Sequence, residues 1–581
     1  MDEDLREGPA KSFGFTAILV LWGLIGAFLR LYLIADQVLL DDEWHALFTA
    51  TAHPLGYLLC HANGAATSAP LNAYAWILLH TTGWSEMALR LPPLACGLSA
   101  LVVFPLLVRR VHGYAVASIF AGFVALSPFL TYYSRIFRPY SALALFEFAA
   151  IYSAGIWLHT GQGRFRIFYV LASAAALWFH PVAAVGVFAP WAVVGALHVW
   201  KTVAKPGASI PDVRPGWRSI VLTAGLVALA FVSTLQPTLI AENMAPGSSP
   251  AIETWKQFML MVFGTSSVAL ASGLALFCLA GLWALLRADF LWGAIFALVV
   301  LLNLLMIAVC GFMGIDVPIV LARYFTILFP LGHVCTAIGL TGFAVRIGGF
   351  AVLRKPAVRG LTVGLAMLVF SLLVLTNPLL SAYAAPNNFT SHSAFIEWGQ
   401  FGGWEGRYRS GFLPNDATIG PPRMSSFYRD LPPRTRRLIE YPMMLGDHYN
   451  YYYLYQHRHG KQIVIGYTDI VDDMPVDRDG VVAEHFVNHV IRAVDDKRRL
   501  RFRNMVDILD VEAVRRSHAD YLICHRDLVG EFLPGARGLR RIVTPGMKEC
   551  VERSREHFGP AVFEDGTIVV FDLRNSPPAG R

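Results

Sequence analysis

Charge is scarce in this chain, and the scarcity decides its broad class. Of 581 residues, 15% are charged and 55% hydrophobic, and the mean hydropathy is +0.49. That excludes a water-soluble protein of this size and indicates a polytopic membrane protein. The seven cysteines show no Cys-x-x-Cys or Cys/His metal spacing, and most sit in apolar runs, where Cys behaves as a small hydrophobe. No glycine-rich nucleotide cradle is present, which argues against a soluble nucleotide sugar as substrate. No basic, aromatic-interleaved soluble patch accompanies the net charge of +7 and pI near 9.0, so nucleic acid is not the expected partner. No fixed-period repeat appears, and no small-residue cleavage site follows the first hydrophobic run, which reads as a retained anchor.

What the chain has instead is long apolar runs. Residues 1–12 are polar, and Phe13 to Leu33 is long enough to cross the hydrocarbon. Residues 34–87 form a first external loop with a short, interrupted apolar stretch, Ala69 to His80. Further runs span Ala88 to Val108, Ala115 to Tyr133, Tyr140 to Leu158, Phe165 to Phe179, Val182 to Trp200 and Ser219 to Leu239. Val268 to Leu286, Phe290 to Gly311, Arg323 to Val345 and Gly360 to Leu380 complete the set, about eleven transmembrane helices.

Charge placement is consistent with that count. Arg109-Arg110, Arg164 and Arg166, Lys201 through Arg218, Arg287, and Arg346 through Arg359 all fall in loops assigned to the cytoplasm, where positive charge sets topology and attracts anionic lipid. An odd count places the N-terminus inside and residues 381–581 outside. There the composition turns polar, and β-type runs at Gln462 to Tyr467, Tyr521 to Cys524 and Thr567 to Phe571 alternate with helical stretches at Val487 to Asp495 and Lys548 to His557. These predict an extracytoplasmic α/β domain. Cys524 and Cys550 both lie in it, on an oxidising side, and are the pair open to a disulfide. Asn388-Phe389-Thr390 matches a glycosylation sequon, relevant in a eukaryotic secretory setting.

The polar residues gather on that same external side. Asp41-Asp42-Glu43-Trp44-His45 follows the first span at the start of a short helical stretch. An acid cluster between apolar walls is a candidate general base or ion site, with Asp41 read as the helix N-cap. Arg135 and Arg138 lie where the third span surfaces, His180-Pro181 where the fifth does, and Arg323-Tyr324 opens the tenth. Taken singly, Arg135 reads as a side chain snorkelling to headgroups and His180 as an interfacial residue. Taken together, cations and acids at one depth describe a phosphate held beside a base. Arg clamps phosphate oxygens and stabilises charge growing on a departing phosphate, while a carboxylate deprotonates the acceptor hydroxyl that attacks a sugar carbon.

Several motifs in order carry a family resemblance: Arg30-Leu31-Tyr32, Asp42-Glu43, Ala69-Pro70-Leu71, Ser127-Pro128-Phe129, the run Tyr132-Tyr133-Ser134-Arg135-Ile136-Phe137-Arg138-Pro139-Tyr140, His180 and Arg323-Tyr324. This succession resembles the GT-C class of integral membrane glycosyltransferases. More narrowly, it resembles the bacterial relatives of dolichyl-phosphate-mannose protein mannosyltransferases and aminoarabinose lipid A transferases. The resemblance implies a polyprenyl-phosphate sugar donor, inversion at the anomeric carbon and a catalytic acid in the first external loop. It implies a lipid, glycan or protein acceptor, a bacterial inner-membrane location and an extracytoplasmic C-terminal module.

Carried over residue by residue, it makes Asp42 the general base and Glu43 the residue that orients the acceptor or holds an ion. Arg138 and Arg323 bind the donor phosphate, with Tyr140, His180 and Tyr324 as supporting donors. A divalent cation at the acid pair is compatible with this set. The chain departs from the family in carrying Ile136 where relatives often have an acid, and Ser68 where they often have His. A transporter or flippase of lipid-linked saccharides is the competing reading, but it calls for polar, broken helices near the midplane and repeated halves. The aromatic and His-rich stretch Asp447 to His459 reads as interfacial packing, with sugar stacking or a metal site as lesser alternatives.

Overall fold

A computed structural model gives the fold. It describes residues 9–32, 34, 43, 46–47, 49–50, 53–61, 68–82, 85–203, 213–234, 244, 248–312, 315–316, 318–350, 355–380, 425–441, 462–464, 511–516, 519–526, 548 and 551–574. The chain forms two compact units, residues 1–35, 53–381 and 397–404, and residues 36–52, 382–396 and 405–581. The predicted segments Val487 to Asp495 and Asp447 to His459, the sequon at Asn388 and Cys550 lie outside the described residues.

The first unit is helical. Its elements are α1 (Pro9–Leu31), α2 (Leu55–Leu58), α3 (Ala69–His80), α4 (Glu86–Leu126), α5 (Pro128–Ser134), α6 (Tyr140–Thr160), α7 (Gly163–Phe179) and α8 (Ala184–Val203). They continue with α9 (Trp217–Thr234), α10 (Ile252–Phe263), α11 (Val268–Ala288), α12 (Phe290–Cys310), α13 (Pro318–Tyr324), α14 (Leu328–Phe350) and α15 (Lys355–Thr376). Each predicted apolar run is helical over most of its described residues. Eight helical segments among them are long and apolar enough to cross a membrane. One of the eight, Met87–Leu126, has 40 residues, twice what a bilayer needs. It is two helices joined at Gly113, whose φ of 83° and ψ of 177° interrupt the hydrogen-bond ladder. The runs in α7 and at Gly360–Thr376 are shorter, with α7 at 17 residues.

Two further breaks divide predicted runs. Ser127 caps α5 by accepting from the Leu130 N–H, with Pro128 at the first helical position. This splits the predicted Ala115 to Tyr133 run in two. A tight turn at Phe325–Ile327 likewise separates α13 from α14. Arg323 and Tyr324 therefore close a short helix rather than open a long one.

Small residues allow the closest helix crossings. A Cβ on Gly281 of α11 would collide with the Cys335 carbonyl of α14, and one on Gly339 of α14 with the Phe277 carbonyl of α11. Lipid tails supply no hydrophobic drive between helices, so contact of this closeness carries the association.

The second unit holds a five-stranded sheet built from β1 (Arg437–Tyr441), β2 (Gln462–Val464), β3 (Tyr521–His525), β4 (Phe563–Glu564) and β5 (Ile568–Asp572), in the order β2-β1-β3-β5-β4. β1 pairs parallel with β2 and with β3, in register Ile439 to Leu522. β5 pairs antiparallel with β3 and β4, with Ile523 opposite Val570. The central strands are buried along nearly their whole length, as strands covered on both faces are. Helical residues 511–516 and 551–558 contribute Val514, Val551 and Phe558 to the core. This is the expected α/β domain. Cys524 is buried in β3 with its sulfur 3.6 Å from Ser554 Oγ.

A polar core inside this unit was not foreseen from the sequence. The Tyr428 hydroxyl donates to both Glu440 oxygens at 3.0 and 2.9 Å, and His525 Nε2 lies 2.8 Å from Glu440 Oε2. All three side chains are buried, so the network satisfies groups that would otherwise be costly to desolvate.

Candidate active site

The segment between α5 and α6 is not helical. Pro139 lacks an N–H and disfavours the α conformation in the residue before it. Arg135 through Arg138 therefore run as bends between two helices, and the Arg138 N–H closes a tight turn on the Ile136 carbonyl at 2.8 Å. The same chemistry ends α7. His180 precedes Pro181, adopts φ −161° and ψ 129°, and caps the next turn by accepting the Val182 N–H at its Nδ1, 3.2 Å away. Two proline breaks in the first unit thus deliver Arg138 and His180 to one place.

There Arg138, Tyr140, His180, Arg323 and Tyr324 come together. The guanidinium carbons of Arg138 and Arg323 lie 6.0 and 5.7 Å from the centre of the Tyr140 ring, within cation–π range. The His180 ring is 5.7 Å from Tyr140. Tyr324 lies within electrostatic reach of Tyr140, Arg323 and Arg138 and stacks on Phe312 at 4.0 Å. Burial, reinforced by the charges of Arg138 and Arg323, pushes the His180 pKa down to about 3. The ring is therefore neutral at physiological pH. With Nδ1 accepting from Val182, its hydrogen resides on Nε2, which acts as a donor. Two fixed cations, two phenols and one neutral imidazole form a donor-rich, partly desolvated site suited to a phosphate.

Tyr133 belongs to this group and had no assigned role in the sequence reading. Its hydroxyl oxygen accepts from Arg323 Nε at 3.0 Å, and its ring packs edge-on against Tyr140 at 4.7 Å. The signal was present as the first tyrosine before Ser134-Arg135, but only the fold brings Arg323 to it. Glu147 was also missed. It is buried in α6, and a Cβ on Gly186 of α8 would collide with its carboxyl group. An acid within an apolar span is itself a visible signal.

Arg135 is corrected. It does not snorkel to headgroups; it is 1% exposed and donates from Nη1 to the carbonyls of Leu29, Arg30 and Tyr32 at 3.2, 3.2 and 2.7 Å. These carbonyls lie in the last turn of α1 and just past it, where a helix presents acceptors to other donors, and a cation there also complements the helix dipole. Arg30 is buried beside it, donating to the Gly26 and Val124 carbonyls.

Of the acids, Glu43 is helical and buried and falls in the second unit, with residues 36–52. Asp41 and Asp42 lie outside the described residues. Among the described residues, no group of three or more His, Cys, Asp or Glu is arranged to hold a metal ion.

No protein-family model matches the chain, and no curated protein matches it. Similar solved structures include ArnT from Cupriavidus metallidurans in the apo state, with 12% identity and a TM-score of 0.49, covering 98% of this chain and 100% of that one. The same protein bound to undecaprenyl phosphate has 13% identity and a TM-score of 0.49, covering 97% and 99%. The archaeal oligosaccharyltransferase AglB from Archaeoglobus fulgidus, in complex with an inhibitory peptide and a dolichol-phosphate, has 12% identity and a TM-score of 0.44, covering 98% and 76%.

Proposed function

We propose that this protein is an inverting glycosyltransferase that moves one hexosyl or pentosyl unit from a polyprenyl-phosphate donor to a lipid, glycan or protein acceptor at the external face of a bacterial inner membrane. The observation that carries the reading is the convergence of Arg138 and Arg323 on the Tyr140 ring beside a neutral His180. In this mechanism the two guanidiniums hold the donor phosphate and take up the negative charge that grows as the sugar–phosphate bond breaks. His180 Nε2, Tyr140 and Tyr324 add neutral donors. Asp42 removes the proton from the acceptor hydroxyl as it attacks the anomeric carbon from the face opposite the phosphate, and Glu43 orients the acceptor or holds a divalent cation.

The test uses purified protein, radiolabelled polyprenyl-phosphate sugars and membrane extract, with and without chelator. Label should pass from donor to acceptor in the wild type and remain on the donor in Asp42→Asn, which should still fold and insert. Full turnover by Asp42→Asn would remove Asp42 from the mechanism. Label that crosses the membrane still attached to its donor would instead identify a flippase.

A further inference from the structure

At the end of α6 opposite Tyr140, the turn Gly161–Gln162 gathers arginines from three segments. Arg110 of α4 donates from Nη2 to the Gln162 side-chain oxygen at 3.4 Å. Arg164, in the first turn of α7, donates to the same oxygen from Nε at 3.1 Å and from Nη2 at 2.9 Å. Both guanidiniums lie over the Phe165 ring, 4.7 and 5.1 Å from its centre. The backbone N–H of Arg214 donates to the Leu158 carbonyl at 3.0 Å, bringing a third arginine to the turn. Arg110 is within electrostatic reach of both Arg164 and Arg109. Among the described residues, no carboxylate pairs with Arg109, Arg110 or Arg164.

Like charges drawn onto one neutral oxygen repel, and an anion among them relieves the repulsion. A guanidinium has about five N–H donors, and the single amide oxygen engages only part of the two sets. Each arginine also ends an exposed apolar stripe. On α4, Val102 and Leu106 precede Arg110 at one- and two-turn spacing; on α7, Ile167, Phe168 and Leu171 follow Arg164 at helical spacing. A fork of cations at the ends of two membrane-facing stripes has the chemistry of a phospholipid's complement, with phosphate on guanidinium and acyl chain along helix.

We infer that the Gln162 turn is a binding site for an anionic glycerophospholipid, its headgroup phosphate held by Arg110 and Arg164 and its acyl chains laid along the two stripes. The 21 residues of α6 separate this turn from Tyr140 by about 30 Å. The lipid therefore occupies the leaflet opposite the candidate transfer site, and the inference stands apart from the proposed activity.

Native mass spectrometry of the delipidated full-length protein tests it, with titration of phosphatidylglycerol, phosphatidylcholine of the same acyl chains, and inorganic phosphate. Wild type should retain phosphatidylglycerol in preference to phosphatidylcholine, and millimolar inorganic phosphate should not displace it. The Arg110→Gln/Arg164→Gln variant should bind phosphatidylglycerol about thirtyfold more weakly, a factor of about five for each arginine at the membrane surface. Equal retention of the two lipids by wild type, displacement by inorganic phosphate, or unchanged affinity in a double variant with wild-type thermal stability would each overturn the site. The comparison of lipids needs only the wild type, so it decides the matter even where the double variant fails to fold.

Discussion

Arg323 and Tyr133 are joined by a hydrogen bond of 3.0 Å in which the guanidinium Nε donates to the phenol oxygen. Because a guanidinium is planar, fixing Nε fixes the plane in which both Nη groups lie. Tyr133 in turn is held edge-on against Tyr140 at 4.7 Å and Phe129 at 4.7 Å. Tyr133→Phe keeps the ring packing and removes the acceptor, so polyprenyl phosphate should bind about tenfold more weakly, measured by titration calorimetry in detergent. Unchanged affinity would show that the bond does not orient Arg323 for a phosphate.

Arg135 ties the segment before α6 to the end of α1 through three carbonyls. Arg135→Met fills similar volume and leaves those acceptors buried without that donor, at a cost of about 3 kcal/mol. The thermal midpoint in detergent should fall clearly below that of the wild type. A midpoint equal to wild type would mean that water replaces the guanidinium at the helix end.

Two glycines of α11 make opposite predictions. Gly281 faces the Cys335 carbonyl with no room for a methyl group, whereas Gly273 has nothing within 4 Å of an added Cβ. Gly281→Ala should force α11 and α14 apart and lower stability, while Gly273→Ala should be neutral or gain a few tenths of a kcal/mol from the helix preference of alanine. Parallel thermal unfolding of the two variants decides it, and equal midpoints would contradict the close crossing.

His180 supplies a pH prediction. Burial, with Arg138 and Arg323 beside it, lowers its pKa to about 3, so it does not change charge between pH 5 and 8. The unfolded chain takes up a proton at this residue near pH 6.5 and the folded chain does not, so its effect on stability becomes more unfavourable as pH falls below that value. His180→Gln should flatten the acid limb of the stability profile, measured by thermal midpoint between pH 4 and 7. An unaltered slope would place a protonatable imidazole at the site.

Asp565 behaves in the usual carboxylate sense. Burial opposes its charge, but hydrogen bonds from Ser425 Oγ, the Thr567 and Ile568 N–H groups and Thr567 Oγ1 outweigh burial and lower its pKa. Its stabilisation is therefore present above the unfolded carboxylate pKa of about 4 and is lost as pH falls through the lower folded value. Asp565→Asn should increase hydrogen exchange in β5 at pH 7, and the difference from wild type should close toward pH 3. A difference that persists undiminished in acid would show that the loop does not depend on the charge.

The helices of the first unit were legible because each must satisfy its own backbone inside a bilayer, which leaves runs such as Val268 to Leu286 and Phe290 to Gly311 readable from local composition. The breaks were read less well. Gly113 and Ser127-Pro128 were visible as residue types, but the turn at Phe325–Ile327 carries no proline or glycine, so Arg323-Tyr324 was placed at the start of a long helix instead of the end of a short one. Burial of Arg135 was illegible for a different reason: an arginine at a span end looks the same whether it meets a headgroup or the end of another helix.

Local chemistry within the sequence was enough to determine the polytopic class, the polar α/β segment that follows it, and the residue types gathered near the surfacing ends of the third, fifth and tenth spans. Hydropathy, proline and charge act over a few residues, and so they can be read without a fold. Only tertiary structure decided that Arg323 meets Tyr133 across 190 positions of chain, that Arg138 and His180 share the Tyr140 ring, and that Arg135 caps α1 instead of reaching lipid. Those outcomes depend on which helix ends pack together, and that packing is settled by close crossings such as Gly281 against Cys335, where a single methyl group decides whether two helices can touch.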